Sequence, residues 1–202
     1  MSTSRDRRAL LLVGAVGVGK TTTAEALGGV LEEQGVPGAV IDLDAIRRIW
    51  PAPPGDRFNS AIELANLRAM ARTFLEAGAQ VLVAAGVIEE RAARAQYEEA
   101  MGAPLTVVRL VAPRELVRAR LRHRHDGEPE ALAWHLDRYD ELTAILDAAG
   151  VEDMCVQVVG DPRDTARAVF SAVAATTAEF ERRHSPVRCA PSSRIVEKSS
   201  SP

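Results

Sequence analysis

Five apolar runs of strand length punctuate the chain, and each leads into a segment whose apolar residues recur every three or four positions. The runs cover residues 9–13, 39–44, 81–85, 105–111 and 154–159. Gly35 and Pro37, then Pro51 to Gly55, Gly78, Gly102 with Pro104, and Gly150 close the helix-period segments between them. A short helix with Ile46 and Ile49 follows the second run, and residues 60–77 predict a longer one with Leu67, Met70, Phe74 and Ala77 on one face. A helix over 89–101 follows the third run, and an arginine-rich helix begins at Pro113 and ends near Arg124. After the polar break Asp126-Gly127-Glu128, Pro129 opens a long helix striped by Leu132, Leu136, Tyr139, Leu142 and Leu146. Gly160-Asp161-Pro162 then supplies a turn, an N-cap and a first helical proline before a last helix that buries Ala166, Val169, Phe170, Val173 and Phe180. Because the strands are continuous apolar runs rather than alternating ones, the pattern predicts an α/β fold. Its five-stranded parallel sheet is covered by helices on both faces.

Composition changes this picture little. Aromatic residues make up only 4% of the 202 residues, so the core must be built from Ala, Val and Leu. One domain over 1–184 is expected, with a Ser/Pro-rich disordered tail at 185–202. A net charge of −3 gives no reason to expect nucleic acid as a partner. Cys155 and Cys189 make neither a disulfide framework nor a metal motif. Arg5, Arg7 and Arg8 before an apolar run imitate a signal peptide, but glycines interrupt the run and that reading is rejected. No stretch is long and apolar enough to span a bilayer, so no membrane partner and a cytoplasmic location are expected.

The chemistry begins where the first run ends. Gly14, Gly19, Lys20 and Thr21 spell G-x-x-x-x-G-K-[ST], with an extra glycine at Gly17, between a strand and a helix. Such a loop curls its backbone N–H groups inward around phosphate oxygens, and the helix start adds unpaired donors. Residues Gly14, Ala15, Val16, Gly17, Val18, Gly19, Lys20, Thr21 and Thr22 are therefore expected to bind ATP. Lys20 reaches the β- and γ-phosphates, and the Thr21 hydroxyl ligates Mg²⁺. Asp42 and Asp44 end the second run, where ligands meet parallel sheets, and period two puts them on one side of the strand. Asp42 is expected to share the Mg²⁺, and Asp44 to act as base or substrate ligand, with a helix cap and a solvated acid as the plain alternatives. The third run ends at Gly86 without a terminal acid and no Asn-Lys-x-Asp motif occurs, which argues against a motor or a GTPase switch. Arg114, Arg118, Arg120, Arg122 and Arg124 share one helix, with Val117 and Leu121 on its core side. Arg120 and Arg124, four apart, are the pair expected to neutralise a transferring phosphoryl group, against the alternative of a basic solvated face. His123 and His125 lie about 200° apart on a helix and read as surface residues, and His135 on the long helix is no better supported as a metal ligand.

Residues 9–88 resemble the P-loop small-molecule kinases, and most specifically adenylylsulfate kinases. The likeness rests on the phosphate loop, on Ile41-Asp42-Leu43-Asp44-Ala45-Ile46-Arg47, on Asn66-Leu67-Arg68 and on Ala77-Gly78. It implies a nucleoside-monophosphate-kinase-like P-loop NTPase fold, with Asp44, Arg47, Asn66 and Arg68 facing an acceptor. Arg120-Leu121-x-x-Arg124 is similar to the lid arginines of nucleoside monophosphate, gluconate and shikimate kinases, which implies a small helical lid at about 118–138, with Arg138 a weaker candidate in it. Asp161 and Pro162 fall where such kinases hold adenine, although a plain capped helix start fits as well. The expected activity is ATP- and Mg²⁺-dependent phosphorylation of a hydroxyl on a small molecule: adenylylsulfate, a nucleotide, a sugar acid or a secondary metabolite. A homodimer is a compatible assembly. The alternatives are a regulatory ATPase without an acceptor, and an interaction protein using helix 114–124.

Overall fold

The structure, a computed structural model, describes residues 7–184. Its five strands are β1 (Arg8–Val13), β2 (Gly38–Asp42), β3 (Val81–Ala85), β4 (Leu105–Val111) and β5 (Met154–Gln157). They form one all-parallel sheet in the order β2-β3-β1-β4-β5, with Leu11 opposite Ala84 on one side and Val107 on the other. Around it lie α1 (Lys20–Glu33), α2 (Leu43–Ile46), α3 (Ser60–Glu76), α4 (Arg94–Met101), α5 (Arg114–Arg124), α6 (Pro129–Ala149) and α7 (Pro162–His184).

Strand alternation divides the core into two layers. Ala9, Leu11 and Val13 pack with α3 and α4 residues such as Leu67, Leu75 and Met101, while Leu10 and Leu12 pack with Leu27 and Val30 of α1 and Ala166 and Val169 of α7. A strand covered on both faces cannot afford polar alternation, which is why these runs read as continuously apolar. With β1 central between β3 and β4, whose connections run to opposite sides of it, the carboxyl end of β1 opens a crevice at the point where strand order reverses.

Several boundaries differ from the sequence expectation. β2 ends at Asp42 because the Asp42 carboxylate accepts a bond from Ala45 N at 3.2 Å and caps α2, so Asp44 lies in a helix. α2 lasts only four residues, and Ile49 is exposed beyond it. The 89–101 helix splits into a 3₁₀ turn at Arg91–Ala93 and α4. β5 stops at Gln157. In α6 only Leu142 and Leu146 of the stripe are buried, both in the second half of this 21-residue helix. The Phe180 side chain, Arg5, Cys189 and the 185–202 tail lie outside the described residues. Among the described residues no helix is long and apolar enough to cross a membrane.

Candidate functional site

The buried run of β1 delivers the chain into a loop that only small residues allow. Gly19 is the N-cap of α1 with φ 104°, a left-handed conformation that a β-carbon strains. At Gly17, φ is 78° and a Cβ would meet Leu121 and Val117 at 3.0–3.1 Å, so α5 lies directly on the loop. That docking fixes Arg120, whose Nη1 donates to Val18 O at 2.9 Å. Lys20 Nζ donates to Gly14 O at 2.9 Å and Ala15 O at 3.3 Å. Burial of the ammonium lowers the Lys20 pKa to about 8, with Asp44 and Asp42 opposing the shift. A cavity of about 560 Å³ opens here, lined by residues 16–23 together with Asp42, Asp44, Arg48, Arg120, Arg124, Pro162 and Thr165.

Thr21 Oγ1 donates to Asp42 Oδ2 at 2.9 Å at the rim of this cavity. A hydroxyl and a carboxylate side by side form the hard, all-oxygen donor set that suits Mg²⁺ completed by water and phosphate oxygens, so these two residues fit that ion. The period-two argument for Asp42 and Asp44 does not hold, since the strand stops between them, yet both line the same cavity because the cap turns the chain across the loop. β3 ends without an acid for a packing reason: a Cβ at Gly86 would lie 2.9 Å from Leu43 Cβ.

Beside the first cavity lies a second, of about 540 Å³, and Val16, Lys20, Asp44 and Arg124 line both. Its walls include Arg47, Phe58, Leu64, Ile88, Glu89, Tyr97, Trp134, His135 and Arg138. Arg47 bridges Asp44 and the 2%-exposed Glu63, to which it donates at 3.2 Å. The Tyr97 hydroxyl donates to the other oxygen of Glu63 at 2.6 Å. Burial raises the Glu63 pKa, and burial with the Glu63 charge raises that of Tyr97. Arg138 Nη2 donates to Glu89 at 2.5 Å and Nη1 to Glu141 at 2.7 Å, and its guanidinium sits 5.4 Å above the Phe58 ring.

Other expected residues are used elsewhere. Asn66 Nδ2 donates to Ile46 O at 2.7 Å, tying α3 to the end of α2. Arg68 pairs with Glu99 at 3.1 Å on an exposed face and is absent from both cavities. Arg114 pairs with Asp140 and Arg118 with Glu115. Asp161 Oδ1 accepts from Arg163 N at 2.7 Å as a cap, leaving Pro162 at the rim. The surface reading of His125 is corrected. α5 ends at Arg124 and the chain turns, so the His125 and His135 rings stack with centroids 4.2 Å apart and the His125 side chain is only 10% exposed. Glu63, Tyr97, Glu89, Phe58 and Trp134 escaped the sequence reading. Glu63 carried a signal: it falls four residues before Leu67, a charge on the buried stripe of α3.

The family model described as AAA domain matches residues 10–148. No curated protein matches the sequence. Solved structures do. A gluconokinase from Sinorhizobium meliloti 1021 matches with TM-score 0.55 and 19% identity over 87% of this chain and 97% of that one. A tunicamycin resistance protein of Deinococcus radiodurans matches with TM-score 0.56 and 22% identity over 83% and 95%. The APS kinase of Mycobacterium tuberculosis, solved with AMPPNP and APS, matches with TM-score 0.52 and 18% identity over 83% and 98%. At these identities the likeness is one of fold.

Proposed function

The chain belongs to the AAA domain family and has the fold of the P-loop small-molecule kinases, and on that premise we propose that it is an ATP- and Mg²⁺-dependent kinase of a small-molecule hydroxyl. The observation that carries the proposal is the pair of adjoining cavities with Lys20, Asp44 and Arg124 on their shared boundary. A phosphate-loop protein that only hydrolyses ATP has no use for a second cavity of metabolite size opening onto its reacting phosphate.

In this reading the loop amides and Lys20 hold the β- and γ-phosphates, and Arg120, anchored on the loop, adds charge at the transferring group. Thr21 and Asp42 are the residues that would hold Mg²⁺, which neutralises phosphate charge. Asp44 accepts or orients the acceptor's proton as its oxygen bonds to the γ-phosphorus and the bond to the leaving ADP oxygen breaks. Arg47 holds the Asp44 carboxylate, and α5 with the first half of α6 forms the lid. Arg68 has no part in this scheme.

The test is ADP release on addition of metabolites. The wild type should be stimulated by an acceptor, and Asp44→Asn should lower kcat by about 10²-fold with the KM for ATP within twofold. Lys20→Ala should abolish both binding and turnover of ATP. ADP release that no metabolite raises would instead favour a regulatory ATPase.

A further inference from the structure

The second cavity says which kind of acceptor it takes. Two of its three guanidinium groups are each held by two carboxylates: Arg47 by Asp44 and Glu63, Arg138 by Glu89 and Glu141. Glu90 adds a further carboxylate to the wall. The remaining cations, Lys20 and Arg124, stand on the boundary with the phosphate cavity, where the transferring group lies. Arg57 stacks 5.5 Å from the Phe58 ring and is outside the cavity lining. An anionic acceptor would therefore shed its water opposite Glu89 and Glu90, and beyond the phosphoryl boundary both lining arginines are already committed to carboxylates; a buried charge without a partner is costly.

The apolar lining points the same way. Among the described residues six large hydrophobic side chains are exposed; two of them, Phe58 and Trp134, line this cavity, and two more, Ile49 and Trp50, line a neighbouring pocket that shares Asp44, Arg47 and Phe58 with it. Trp134 is 54% and Phe58 43% exposed, while Leu64, Ile88 and Tyr97 line the wall behind them. The His135 Nδ1–H donates to Ala131 O at 2.7 Å, and its ring meets the Trp134 ring edge-on at 4.8 Å, so a histidine and a tryptophan hold each other in place at the mouth. A rigid aromatic rim over a pocket of about 540 Å³ suits an apolar ring rather than a phosphate or a sulfate.

We propose that the phosphoryl acceptor is an uncharged, ring-bearing alcohol, its ring between Phe58 and Trp134 and its hydroxyl at Asp44. This rests on the kinase reading above. The acceptor hydroxyl loses its proton to Asp44 and gains the γ-phosphoryl group, and ADP leaves with the bridging oxygen.

The experiment uses the full-length protein with ATP and Mg²⁺. A microbial metabolite extract is separated on anion and cation exchangers into anionic, cationic and unretained neutral pools, and each pool is assayed for stimulation of ADP release. The neutral pool should carry the stimulation. Trp134→Ala, at an exposed position that the fold tolerates, should raise the amount needed for half-maximal stimulation roughly tenfold with the KM for ATP within twofold. Stimulation confined to the anionic or the cationic pool, or a Trp134→Ala enzyme with wild-type half-saturation, overturns the inference and leaves the kinase reading standing. No stimulation by any pool, with ATP binding intact, overturns the kinase reading and this inference with it.

Discussion

The Lys20 ammonium offers a quantitative test of the phosphate site. Burial lowers its pKa from 10.5 to about 8 in the unliganded protein. Phosphate oxygens around Nζ favour the charged form, and bound ATP should return the pKa to its ordinary value. Linkage then fixes the pH dependence. Below about 8 the lysine is charged in both states and affinity is flat; between about 8 and 10.5 binding must take up a proton, and affinity falls as pH rises. For these two values the dissociation constant should rise about tenfold from pH 7 to pH 9 and about thirtyfold by pH 9.5, tenfold being 1.36 kcal/mol. Isothermal titration with ATP over this range reads the effect directly. Lys20→Arg supplies the control, because a guanidinium does not titrate there and its profile should be flat. The same shift has an opposite consequence for stability. A lysine whose folded pKa lies below its unfolded value costs stability while it is charged in both states, and that cost is relieved as pH rises through the window from about 8 to 10.5. Affinity that is constant from pH 7 to 9.5, or that falls equally in Lys20→Arg, would refute the reasoning.

Three further outcomes are expected. Thr21→Val removes the hydroxyl that donates to Asp42 and should raise the Mg²⁺ concentration for half-maximal turnover by about tenfold or more, read by metal titration of ADP release at saturating ATP. Leu121→Ala opens a cavity under the phosphate loop where the side chain is fully buried, and should cost about 2–5 kcal/mol in urea unfolding while weakening ATP binding, since the same helix aligns Arg120. Tyr97→Phe deletes the donor to Glu63 and should cost about 1–3 kcal/mol in urea unfolding, leaving the KM for ATP unchanged because Tyr97 lines only the second cavity.

Much of the fold was legible along the chain because the signals were local. An apolar run of five residues, a glycine stop or a proline start depends only on neighbours in sequence, and the parallel sheet follows from strands apolar on both faces. The phosphate loop is likewise a local object: its spacing dictates its curl, and Arg120 stands where a helix period from Val117 and Leu121 directs it. Misplaced boundaries arose where one residue had two local uses, as when Asp42 both ended a strand and capped a helix.

The acceptor side was different. Its walls are drawn from residues 44–64, 87–97 and 134–142, and no local pattern states that Arg138 meets Glu89 or that Glu63 meets Tyr97. Asn66 and Arg68 looked substrate-facing by their place in a motif, but the direction of α3 sends Arg68 outward to Glu99 and spends Asn66 on a backbone carbonyl. The sequence alone determined the sheet, the phosphate loop and the acids beside it, since each is set by adjacent residues. Only the tertiary structure decided which arginines are neutralised and which aromatics frame the second cavity, because contacts such as Arg138 with Glu89 and Tyr97 with Glu63 join side chains 49 and 34 positions apart.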